Sequence, residues 1–231
     1  MTTRKPDRGA DARLVELEVA DDPASWAQAG FSVVDDVVMV DDVRIRLSGA
    51  APDRRGIVGW SVSGLVPRIE GIDGLPTNFV DASDPSSERP VHANGAHGID
   101  HVVVISSDLD RSIAALATVG LACRRIRDTT SPQGTPMRQA FFKLGPVVIE
   151  VVDSSPRSSE PDLAGTTGGP AAWFGLVFDV DDLELTGKGL GDGLGRVKPA
   201  VQSGRRIATL RHRSFDMSVA TAFMDDHGGQ T

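Results

Sequence analysis

The sequence of 231 residues contains no tyrosine and one cysteine, and aromatic residues make up 5% of it. A single cysteine, Cys123, excludes an internal disulfide and any zinc site built on cysteine pairs. No apolar run approaches the roughly 20 residues that a membrane-spanning helix needs. The opening stretch MTTRKPDRGADAR lacks the apolar centre of a secretory signal, so residues 1–12 read as a frayed tail, and residues 227–231 read the same way. Positive charge is in short supply: 24 Lys and Arg face 32 Asp and Glu, for a net charge of −8. No basic stripe interleaved with aromatics offsets that field, which excludes nucleic acid and membrane surfaces as expected partners. A cytoplasmic protein is expected.

What remains is a globular composition, with 40% hydrophobic and 24% charged residues and the 25 glycines of a turn-rich chain. Self-similarity organises it. Residues 99–153 read as strand IDHVVVI, turn SSDLD, helix RSIAALATVG, strands LACRRIRD and MRQAFFKL, and a closing strand VVIEVV, a βαβββ unit. Asp108 is the expected N-cap of the helix, Leu109, Ile113, Leu116 and Ala117 its apolar face, and Gly120 its stop. Residues 173–225 repeat the outline with WFGLVFDV, DDLELTGKGLGDGLG, RVKPAV, RRIATLRHRSF and SVATAFMD, and the Asp108-Leu109 and Asp182-Leu183 pairs set the two copies in register. A weaker copy covers residues 13–47, with Asp22 before Pro23 as a helix start, and GIVGWSVSGL (residues 56–65) begins a degenerate fourth. The Pro-, Asp- and Ser-rich stretches at 66–97 and 154–170 read as surface connections. The chain thus divides into a diverged region at 13–80, a linker at 81–97 and a two-unit domain at 98–226.

Paired units opening on DHVVV, DLDRS and GL and closing on GPVVIEVVD resemble the vicinal oxygen chelate superfamily, which includes glyoxalase I, extradiol dioxygenases and bleomycin-resistance proteins. The resemblance implies an α+β fold in which paired βαβββ modules form an open barrel around a pocket. It also implies up to four inward-facing metal ligands, from the first and last strand of each module. In the first module those positions hold His101 and Glu150, with Glu150 also a candidate catalytic base. In the second they hold Gly175 and Ala222, which offer no ligand atom, so the set for a divalent metal (Zn, Ni, Mn or Fe) is incomplete. His97, four residues before His101, is a candidate third ligand; His92 and His212 are weaker ones.

The bland alternative for His101 and Glu150 is a self-satisfied polar pair in a strand otherwise made of Val and Ile, since an unpaired buried carboxylate is costly. Candidate ligand-binding residues are Arg125, Arg138, Phe141 and Trp173: basic strand residues for an anionic group, aromatics for stacking area. GKGLGDGLG (residues 187–195) matches no nucleotide-binding spacing and reads as a Gly-weakened helix. Trp26 and Trp60 read as core of the N-terminal half. Three functions are carried forward: a cleft that binds a small organic molecule without metal; a metal-dependent lyase, isomerase or dioxygenase; and a scaffold with a filled cleft. A homodimer is an open alternative, because members of the superfamily often pair modules between chains.

Overall fold

A computed structural model describes residues 12–67, 71–81, 89–130, 134, 136–153 and 169–226. The N-terminal half contains β1 (Arg13–Val19), α1 (Pro23–Gln28), β2 (Val37–Val40), β3 (Val43–Leu47), β4 (Ile57–Ser63) and β5 (Thr77–Phe79). They form a five-stranded sheet in the order β2-β3-β1-β4-β5. In β3 the alternation is clean: Val43, Ile45 and Leu47 are buried, and Arg44 and Arg46 stand on the opposite face. Those arginines meet Glu16 and Glu18 of the parallel neighbour β1 at 3.0–3.1 Å. This half is a unit missing one strand, followed by a unit reduced to two strands.

The C-terminal half contains two full units. The first is β6 (Gly98–Ser106), α2 (Leu109–Thr118), β7 (Arg125–Thr130), β8 (Pro136–Leu144) and β9 (Val147–Asp153). The second is β10 (Ala172–Asp179), α3 (Leu183–Leu190), β11 (Lys198–Pro199), β12 (Arg205–Thr209) and β13 (Ala220–Asp226). Their strands make one eight-stranded sheet, β11-β12-β13-β10-β6-β9-β8-β7. In each unit the last strand lies parallel to the first, and the two first strands, β6 and β10, pair antiparallel at the centre. The α+β open-barrel fold with a diverged N-terminal copy is therefore present.

Local differences from the sequence reading have local causes. Asp108 caps α2 by accepting from the Arg111 N–H at 2.9 Å, and Gly120 ends it at φ +91°. Ala117, however, is exposed, and Ser112 takes an inward place because its hydroxyl bonds Ser106 at 2.6 Å. Asp22 does not cap α1 with its side chain; it accepts from the Ala50 N–H at 3.1 Å. The helix expected across residues 181–195 stops at Leu190, where Gly191 takes φ +53°, and Leu185 is 60% exposed. Strand β12 ends at Thr209, and His212–Phe215 form a 3-10 turn.

Both halves share one continuous core, in which Trp26 and Trp60 are buried as expected. The connection before β6 is not wholly a surface segment: His92, Asn94 and Ala96 are buried. Asn94 donates to the Ala29 carbonyl at the end of α1, and its own carbonyl accepts from Thr186 of α3, both at 2.9 Å. Further along, Asp21, fully buried, accepts from the Trp26 indole at 3.2 Å and from the Ser218 N–H at 3.0 Å, tying α1 to the start of β13. Among the described residues no helix is long and apolar enough to cross a membrane.

His92 is held neutral by this packing. Its Nδ1 accepts from the Ser32 N–H and its Nε2–H donates to the Met39 carbonyl, both at 2.9 Å, and burial pushes its pKa below the usual histidine value. The unfolded chain takes up this proton first as pH falls through about 6.5, so the fold loses stability on the acid side of that value. Urea midpoints at pH 7.5 and 5.5 should show the loss. A His92→Leu variant, which removes both bonds, should be about 1–3 kcal/mol less stable at pH 7.5 and should show a shallower acid dependence.

Candidate functional site

In β6 the alternation of buried and exposed residues slips by one. Ile99 and Val102 are both buried, and Asp100 and His101 between them are not. The pairing with β10 explains it: Ile99 lies opposite Phe178 and His101 opposite Val177, leaving Asp100 as the extra residue of a β-bulge. Asp100 and His101 both turn to the sheet face opposite the core, the open face. A second bulge in the same strand pair falls at Phe174, between Trp173 opposite Val104 and Gly175 opposite Val103. It leaves Phe174 56% exposed and turns Trp173 the other way.

On the open face a chain of polar contacts crosses the strands. Gln139 of β8 donates to Glu150 Oε1 at 2.6 Å, and Glu150 Oε2 lies 3.4 Å from His101 Nε2. His101 Nδ1 is 2.5 Å from the Asp100 carboxylate. Arg205 of β12 donates to Asp100 and, at 2.6 Å, to Asp179 of β10. The side chains of His101 and Glu150 are 13% and 14% exposed, so the pair is sheltered yet open to a ligand. A depression of about 530 Å³ adjoins it, lined by His97, Asp100, Asp179, Val180, Asp181, Arg205 and Asp226.

Environment separates the carboxylates. Burial pushes Glu150 up, against the nearby charges of His101 and Arg127, so its neutral form is favoured relative to an ordinary glutamate. Burial also acts to raise Asp100, but hydrogen bonds from His101 and Arg205 outweigh it and hold this carboxyl below its usual range. Asp179 is pushed up by burial and by the charge of Asp100.

The expected ligand positions can now be compared between modules. His101 pairs with Val148, and Val103 with Glu150; in the second module Gly175 pairs with Ala220, and Val177 with Ala222. Gly175 and Ala222 thus stand where His101 and Glu150 stand. A Cβ at Gly175 would sit 2.3 Å from the Ala220 carbonyl oxygen, so that position has no room even for alanine. His97 is half exposed and reaches Asp181 at 3.3 Å, not His101. His92 spends both ring nitrogens on the backbone.

Among the described residues the one group of three metal-type donors close to one another is Asp182, Glu184 and Asp225, away from His101. Asp182 caps α3, and Arg206 bridges Glu184 at 2.7–2.8 Å and Asp225, so a guanidinium already supplies the positive charge there. His101 and Glu150 therefore fit two corners of a metal site, and no third protein ligand joins them among the described residues.

Of the candidate ligand-binding residues, Phe141 lies beside Glu150 and Arg125 beside Phe141, in one row on the open face. Arg138 is opposite Asp128 on the other face, 3.6 Å from Asp110 of α2. Trp173 packs edge-on against Trp60 at 5.0 Å, in the seam between the halves. Asp100 is a site residue that the sequence reading did not single out. A bulge leaves no mark on a single sequence, and plain alternation would put Asp100 on the face opposite His101.

The fold is shared with solved structures. Among solved structures the chain is similar to a mutant of 4-hydroxymandelate synthase from Streptomyces coelicolor, with a TM-score of 0.64 and 14% identity over 95% of this chain and 94% of that one. It is also similar to a xylose isomerase-like TIM barrel/4-hydroxyphenylpyruvate dioxygenase fusion protein, with a TM-score of 0.59 and 13% identity over 95% of this chain and 49% of that one. At these identities the likeness is one of fold. No protein-family model matches the sequence, and no curated protein matches it.

Because Glu150 is pushed up, its contribution to stability is present at acid pH and declines as pH rises through its shifted value. Glu150→Gln keeps an acceptor for Gln139 without the charge. The variant should match the parent protein in urea midpoint near pH 4 and exceed it at pH 8. A variant less stable at both values would mean that the carboxylate is ionised and needed by His101.

Proposed function

We propose that this chain is a metal-independent member of the vicinal oxygen chelate fold that binds a small organic molecule on the open face of its eight-stranded sheet. The observation that carries this reading is the occupancy of the second module's ligand positions by Gly175 and Ala222, the former with no space for a side chain. A catalytic metal usually takes three protein ligands and keeps one position open. Here His101 and Glu150 instead form a polar anchor, oriented by Asp100 and Gln139 and flanked by Phe141 and by half-exposed Val103, Ile105, Val148 and Val152.

A second reading, a metal-dependent lyase, isomerase or dioxygenase, is favoured by one observation. Nε2 of His101 and Oε2 of Glu150 lie 3.4 Å apart, a separation suited to two ligands of one ion, and their far atoms are held by Asp100 and Gln139 as outer supports. Glu150 is the candidate base in that reading.

Metal analysis by mass spectrometry for Mn, Fe, Co, Ni and Zn, on protein purified without chelator or affinity metal and on a Glu150→Ala variant, separates the two. The first reading expects less than a tenth of an equivalent, unchanged by added divalent ions. Close to one equivalent, lost in the variant, would overturn it in favour of the second.

A further inference from the structure

The first module's share of the open face gathers three cations. Arg125, Phe141, Glu150 and Val103 lie side by side across β7, β8, β9 and β6; Arg127, Gln139, Val152 and Ile105 form the next row, and Lys143, Val148 and His101 the row on the other side. The first module's share of this face therefore carries Arg125, Arg127 and Lys143. The second module's share carries Asp179 and Asp226, both bound by Arg205, and Lys198 on the edge strand β11.

The N-terminal sheet offers a comparison within the same molecule. There the strand arginines Arg44 and Arg46 each have a cross-strand glutamate at 3.1 Å, and Arg54 is paired with Glu18. On β7 the cross-strand neighbours of Arg125 and Arg127 are Phe141 and Gln139, and Asp128, the residue after Arg127, turns to the other face, opposite Arg138. Among the described residues neither Arg125, Arg127 nor Lys143 has an ion pair, although acidic residues outnumber basic ones 32 to 24 in this chain. Arg127 lies close enough to Glu150 for its charge to act on that carboxyl. Between the cations and the His101–Glu150 pair lies apolar area from Phe141, Val148 and Val152, each partly exposed.

We propose that the ligand of this face is a short organic carboxylate, its negative group taken by Arg125 and Arg127, its carbon body laid over Phe141 and Val152, and its far end at His101 and Glu150. The proposal rests on the open face being the binding site. A planar guanidinium pair suits a carboxylate, which accepts forked hydrogen bonds. Size follows from the sheet: β7 and β9 are two strand spacings apart, about 10 Å, and part of that is spanned by the arginine side chains themselves. That leaves room for a chain of a few carbon atoms rather than a long acyl tail.

The test is an NMR titration of the intact chain with hexanoate, hexanamide and hexylamine, repeated on an Arg125→Ala/Arg127→Ala variant and on the single Arg127→Ala variant. The expected result is that hexanoate shifts the Phe141, Val148 and Val152 resonances with at least tenfold higher affinity than hexanamide. That advantage falls at least tenfold in the double variant and weakens with added salt, while hexanamide binds parent and variants alike. Equal affinities for hexanoate and hexanamide at those resonances would overturn the carboxylate proposal and leave the open-face site standing, as would hexanoate binding unaffected by the double substitution or a preference for hexylamine. Shifts of none of these resonances by any probe would overturn both the proposal and the site it rests on.

Discussion

The antiparallel seam between β6 and β10 is the constraint on which the rest of the C-terminal half depends. It joins two modules, each otherwise closed by its own parallel pair of strands, and it does so with two bulges rather than a regular ladder. A regular β6 would send Asp100 and His101 to opposite faces. The bulge sends both to the open face, where Asp100 fixes His101 and is itself fixed by Arg205 from the far side of the second module. The bulge at Phe174 sends Trp173 into the seam with Trp60, so the same strand pair that exposes the site also anchors the N-terminal half. Extra residues in a ladder cost backbone pairing, and such features are found beside functional groups because they re-aim side chains.

Adjacent arginines show how finely the two faces are separated. Arg205 and Arg206 are consecutive on β12, and strand alternation gives the first to the open face, with Asp100 and Asp179, and the second to α3, with Glu184 and Asp225. One orders the site, the other the helix that backs it. The acidic group around Arg206 looks like a cation site when its carboxylates are counted alone, and the guanidinium explains why they gather there. Around His101 the logic runs differently: two carboxyl groups flank one imidazole, and their environments move them in opposite directions. A proton is then held at Glu150 more readily than at Asp100.

Much of the fold was legible because it repeats. The Asp-Leu pair at the head of each helix, the glycine at φ +91° after α2 and the Val- and Ile-rich first strands set the two modules in register, and the pairing of Gly175 with Ala220 and Val177 with Ala222 follows the same offset. His101 and Glu150 stood out as polar residues in apolar strands, and Phe141 and Arg125 lie in their row. What could not be read is what depends on a break in period. A bulge moved Trp173 and added Asp100; Arg138 is different, since unbroken alternation from Phe141 already assigns it to the other face. The segment around His92 and Asn94 looked like a loop from its Gly, Asn and Pro content; its burial comes from partners in α1 and α3 that are distant in sequence.

The carboxylate of Asp21 has one partner, Trp26, close by in sequence, and another, Ser218, that comes 197 residues later. A chain growing from its N-terminus therefore adds 197 residues after this acid before the second partner exists. The contacts of α1 are divided in the same way: Trp26 packs on nearby Phe31 and on Phe178 of β10. Contacts of such long sequence separation slow folding and leave early segments exposed while they wait. The two halves, alike in design and separate in sequence, are in that sense finished at the same moment.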